Sequence, residues 1–159
     1  MEELQNTQES QNANPQTNYT EYFESHRQAW NDCIKQLSAK LKNLEDLSEL
    51  QSVVFAKRQD ALDYYHTMLN QLAYVDKEYK KKRAAEYNKL KTNSQIRYTT
   101  EAAINTQLDS NLAESIYFIT LLNNHVTYMK DIVKELIDLD FAIGKRINIQ
   151  YLITGGSKL

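Results

Sequence analysis

The chain has 159 residues, 42% of them hydrophobic and 25% charged, with a formal net charge of −2. Three glycines and one proline are too few for the regularly spaced turns of a many-stranded protein, and a single cysteine, Cys33, excludes an intramolecular disulfide and a CxxC metal pair. No apolar run approaches the roughly 18 residues of a membrane span, and the opening stretch MEELQNTQESQNANPQTN lacks the basic and apolar regions of a signal peptide, so a cytoplasmic protein without membrane contact is expected.

Residues 1–18 hold almost nothing apolar, cannot recover their ordering entropy by burial, and are predicted to form a disordered polar tail. Further on, Trp30, Ile34, Leu37, Leu41 and Leu44 recur at steps of four and three, the stripe of an amphipathic helix. With a slipped phase the stripe continues through Leu47, Leu50, Val54, Leu62, Tyr65, Leu69 and Leu72. No glycine or proline interrupts residues 19–92, which predicts one or two long helices with a break near Glu45–Ser48, where Asp46 or Ser48 can cap a new start. Residues 93–100 form a connection: Asn93 and Ser94 are turn formers, and Thr99 or Thr100 can cap the helix that follows.

The last helical region, residues 101–154, is predicted as one helix from Glu101 to Gly144 or beyond. Ile119, Leu122, Val126, Met129, Val133 and Leu136 alternate at spacings of three and four, Leu112 extends the register backwards, and Asp140, Ile143 and Ile147 continue it. That is the seam of a coiled coil. Ile116, Leu121, Tyr128, Ile132, Ile137 and Leu139 lie outside the seam, and a helix apolar on two stripes has more than one neighbour. The expected fold is all-α, with long helices forming a helical hairpin or bundle and a C-terminal coiled-coil-like helix that joins copies of the chain.

Little in the sequence resembles a reaction centre. His26, His66 and His125 are dispersed, and none has a second His or Cys three or four positions on, the spacing that converges metal ligands on a helix. No glycine-rich phosphate cradle is present. Asp138 and Asp140 point about 200° apart around a helix, and Asp140 reads as a residue that ends the coil or sets its register. Cys33 reads as a small core residue. Neither an enzyme nor a cofactor nor a metal is expected.

Charge says more. Residues 54–98 hold ten basic and five acidic side chains, against four and nine in residues 1–53 and five and seven in residues 99–159. The excess centres on YVDKEYKKKRAAEYNKLK, residues 74–91. Asp76 with Lys80 and Glu78 with Lys82 are i,i+4 pairs in the favourable order, which leaves Lys77, Lys81, Arg83, Lys89 and Lys91 without a carboxylate at that spacing. Tyr79, Arg83 and Tyr87 share one stripe. Two explanations fit: a solvated face with core tyrosines, or a grip on single-stranded nucleic acid in which aromatic rings stack bases and cations meet phosphates.

The stretch VTYMKDIVKELIDLDFAIGKRINIQYLITGG, residues 126–156, resembles the UvsY-type recombination mediators of T4-like bacteriophages, which are recombination, repair and single-stranded-DNA-binding proteins. Val126, Tyr128, Met129, Asp131, Ile132, Val133 and Lys134 fit a helix of the family form, and Phe141, Ile143 and Gly155 fall at its spacings. A looser match is LDYY, Leu62 to Tyr65, with Lys57 and Arg58 upstream; Gly144 stands where the family has lysine, and HTMLN where it has an early glycine. The resemblance implies a non-enzymatic protein that binds single-stranded DNA, contacts a single-strand-binding protein and a RecA-like recombinase, and helps the recombinase displace the former. It also implies a ring-like homo-oligomer held by C-terminal helices, in the host cytoplasm if phage-encoded. The residues expected on DNA are Lys57, Arg58, Lys77, Tyr79, Lys81, Lys82, Arg83, Tyr87 and Lys89. Those expected between subunits are Ile119, Leu122, Val126, Met129, Val133, Leu136, Phe141 and Ile143. The alternative is a coiled-coil scaffold with no nucleic-acid role.

Overall fold

The computed structural model describes residues 15–43, 45–92 and 100–155. Among them are four helices and no strand: α1 (Pro15–Lys40), α2 (Leu47–Thr92), α3 (Glu101–Asn111) and α4 (Ala113–Ile153). No helix among the described residues is long and apolar enough to cross a membrane. The predicted tail ends earlier than residue 18, because α1 already begins at Pro15; the rest of that tail lies outside the described residues. A proline is accepted at a helix start because an N–H there has no intrahelical partner and its fixed φ suits the helix.

The break near Glu45–Ser48 is present. The end of α1 tightens through bonds from the N–H groups of Leu41, Lys42 and Asn43 to the carbonyls of Ser38, Ala39 and Lys40. The side chain of Asn43 then accepts from the Glu45 N–H and donates to Asp46 Oδ2 at 2.8 Å, an asparagine-centred turn. The Asp46 carbonyl accepts the first bond of α2, from the Leu50 N–H. Most of the predicted connection, residues 93–99, lies outside the described residues, but Thr100 caps α3 as expected, its hydroxyl accepting from the Ala103 N–H at 3.2 Å.

The single final helix is not observed. It is broken at Leu112, whose φ of −109° and ψ of 11° leave the helical region between α3 and α4. Neither glycine nor proline stands there. The bend accompanies packing: Ile104, Leu108 and Leu112, one i,i+4 stripe, form their own cluster with Tyr79, Tyr87 and Leu90 of α2 and Ile116 of α4.

Cross-links give the arrangement of the long helices. Tyr117 with Thr20, Tyr128 with Arg27 and Asn31, and Arg146 with Leu41 rise together, so α4 runs parallel to α1. Gln51 with Asp140 and Tyr64 with His125 run in opposite senses, so α4 is antiparallel to α2. Asp140 interrupts the apolar seam and is received across the helix pair by Gln51 at 3.0 Å and Arg58 at 3.5 Å.

This arrangement corrects the expected use of the seam. Leu122, Val126, Met129, Leu136 and Ile143 are buried within the chain, and Val133 packs against the same core. The core is shared by Leu37 of α1, Leu47, Leu50, Val54 and Ala61 of α2, and Met129, Ile132, Leu136, Leu139 and Ile143 of α4. Most of the second stripe is covered too: Ile132 and Leu139 are buried, Ile116 and Leu121 pack at cluster edges, and Tyr128 bonds to α1, while Ile137 stays 47% exposed. Two neighbours within the chain supply what one neighbour could not. Of the residues expected between subunits, Ile119 is half-buried in a shallow groove between α2 and α4, and Phe141 is 64% exposed with Lys145 Nζ 4.5 Å from its ring centre. Past the Arg146 contact, α4 carries exposed Ile149, Tyr151, Leu152 and Ile153.

Where the three long helices meet, His125 is fully buried. Its Nε2 lies 3.1 Å from the Tyr64 hydroxyl, while its Nδ1 and the Nε of Arg27 are buried without a partner among the described residues. The rings of Phe23, His26 and Tyr128 surround it. Burial first, then the charges of Arg27 and His26, push its pKa down to about 4.

Candidate nucleic-acid interface

Running antiparallel, α2 extends past the start of α4, so its distal part is covered by α3 and the α3–α4 corner. One face turns inward. Arg83 donates through Nη1 to Asp109 at 2.9 Å and to the Tyr79 hydroxyl at 3.2 Å, and through Nη2 to Asn105 at 3.2 Å. Tyr87 donates to Glu101 at 2.9 Å, and Asn111 donates to Glu86 at 3.1 Å. The Tyr79–Arg83–Tyr87 stripe therefore holds α3 in place, and its rings pack on Ile104 and Leu108 instead of standing free for bases.

The other faces carry charge into solvent. Lys77, Lys80, Lys81, Lys82, Lys89 and Lys91 are all exposed. The expected Asp76–Lys80 pair forms, at 2.6 Å. Glu78 takes Lys81, one turn position earlier than the expected Lys82, at 2.7 Å; this bond holds the Glu78 carboxyl below its ordinary range. Lys89 has Glu86 at 3.1 Å, so Lys81, Arg83 and Lys89 all have carboxylate partners that i,i+4 spacing does not reveal. Among the described residues, Lys77, Lys82 and Lys91 pair with none, and Lys91 Nζ sits 5.5 Å from the Tyr87 ring centre. Exposed pairs of this kind contribute little to stability, so exchanging a carboxylate for a phosphate costs little.

Lys57 and Arg58 do not join this face. They precede Lys77 by about 30 Å of helix; Lys57 pairs with Asp60 at 2.9 Å, and Arg58 is half-buried against Asp140 and the Phe55 ring. Tyr64 and Tyr65 of the LDYY stretch pack into the core. The aromatic residue that does stand free is Tyr74, 66% exposed, on one helical line with Lys77 and Lys81. It lies in the basic stretch, yet spacing alone did not separate it from Tyr79 and Tyr87; the signal was its position three and seven residues before two lysines of the outer face.

Comparison with protein-family models, curated proteins and solved structures returned no match to this chain.

Proposed function

We propose that the chain is a non-enzymatic, sequence-tolerant single-stranded-DNA-binding protein that acts as a recombination mediator. It helps a RecA-like recombinase onto DNA covered by single-strand-binding protein. The observation that carries the binding step is the set of six exposed lysines between residues 77 and 91, three of them without a carboxylate partner among the described residues, beside the exposed ring of Tyr74. The recombinase and single-strand-binding-protein partners rest on the family resemblance of residues 126–156. Lys77, Lys81, Lys82 and Lys89 take the phosphates, while Tyr79, Arg83 and Tyr87 build the platform beneath them. Binding of a fluorescent oligothymidine is expected to weaken steeply with salt, and Lys77→Gln with Lys82→Gln to reduce the slope of log K against log salt by about 0.7 per charge removed. Salt-insensitive binding, or none at low salt, would sink this function and leave the scaffold, which the ion pairs of Lys80, Lys81 and Lys89 favour.

Homo-oligomerisation belongs to the same proposal, moved from the buried seam to the exposed end of α4. Leu152 and Ile153 are 77% and 79% exposed, beside exposed Ile149 and Tyr151. Linked copies multiply weak phosphate contacts without new ones. Leu152→Asp is expected to lower the mass found by sedimentation equilibrium while leaving the helical content unchanged; a wild-type monomer at micromolar concentration overturns the oligomer.

A further inference from the structure

We infer that the groove between Tyr74 and Phe118 receives a base of the bound single strand. The inference rests on the single-strand function proposed above and gives it a place for a nucleobase. The groove is open to solvent and has a volume of about 560 Å³, within the range of small-ligand sites. Its apolar side is formed by Val75, Phe118 and Leu122, and Asn70, Gln71 and Tyr74 line the same opening. Asn70 and Gln71 make no side-chain hydrogen bond among the described residues, so their amides are open to the donor and acceptor edge of a base. Lys77 and Lys81 follow Tyr74 by one and two turns, where the phosphates flanking an inserted base would lie.

A second groove of about 510 Å³ opens between the same helices, lined by Leu69, Leu72, Ala73, Ile119 and Asp76. Charge separates the two. The Asp76 carboxylate stands at the second opening, where it repels a phosphate, and no aromatic residue lines it. The first has an exposed aromatic wall and no carboxylate. Stacking on a ring is tolerant of base identity because every base has a π face, and the two amides adapt to more than one edge.

The experiment compares an oligothymidine with an abasic strand of the same length, using the full chain. Wild type is expected to prefer the oligothymidine, Tyr74→Ala to lose roughly 5- to 140-fold in affinity for it, and Tyr74→Phe to retain most of the affinity. Tyr74→Ala should leave the abasic affinity and the salt slope unchanged, whereas Lys77→Gln should reduce the slope with both strands. If Tyr74→Ala binds oligothymidine as tightly as wild type, the base site is overturned while the salt-dependent function stands. If wild type binds neither strand at low salt, the function itself fails. Thermal melts by circular dichroism check that Tyr74→Ala is folded, as its exposure leads one to expect.

Discussion

Leu136→Ala is expected to cost about 2–5 kcal/mol of stability in urea unfolding. The side chain is fully buried among residues contributed by α1, α2 and α4. Deleting its branched end loses the transfer energy of the removed carbons and leaves a cavity that three long, mutually braced helices cannot readily close. The variant should therefore unfold earlier as a whole. A folded but dissociated monomer would instead place Leu136 between subunits, and a loss below about 1 kcal/mol would mean that the helices are not packed here as described.

Acid should act through His125. An ordinary histidine titrates near 6.5, whereas burial holds this one down to about 4 in the folded chain. Between those values the unfolded chain binds a proton that the folded chain refuses, so stability falls as pH falls. The contribution is fully present above about pH 6.5, is lost on the way down to about pH 4, and amounts to on the order of 3 kcal/mol. Among the described residues, the rings and charges that face His125 include no carboxylate: Phe23, His26 and Arg27 on α1, Tyr64 on α2 and Tyr128 on α4. His125→Gln keeps a hydrogen-bonding group for Tyr64 but takes up no proton. Urea midpoints at pH 7 and pH 4.5 should therefore fall less in the variant than in wild type, the ordinary carboxylates being common to both. An equal fall in the two proteins would show that His125 is not the titrating group.

Local chemistry and its spacing made much of the fold legible. Thr100 caps α3 and the chain breaks before Leu47, each by an interaction within a few residues, and the apolar seam of α4 shows in its local spacing of three and four. What spacing does not contain is the identity of the neighbour. The seam from Leu122 to Ile143 looked like an interface between chains because its periodicity is the same whether α1 and α2 or another copy covers it. The break at Leu112 has no breaker residue, and goes with packing against Tyr79, Tyr87 and Leu90 across the connection. For the candidate site, the basic stretch was legible but its polarity around the helix was not. Tyr79, Arg83 and Tyr87 share one face by spacing alone, and only α3 reveals that this face is turned inward. Lys81 and Lys82 are both within reach of Glu78, a choice made by side-chain geometry and not by sequence order.

The uninterrupted 46 residues of α2 span about 69 Å. A compact chain of 159 residues has a radius of gyration of about 15 Å, less than the roughly 20 Å that a thin rod of this length has by itself. Such a particle diffuses slowly for its mass and elutes early from a sizing column, imitating a larger assembly. Its subunit number must come from a measurement independent of friction. The lever has two distinct ends as well: the tip of α4 lies beside the start of α2, and the lysines centred on Ala84 stand about 50 Å further along. Copies joined at that tip would hold their basic arms outward like spokes, spacing the points at which a strand could be gripped.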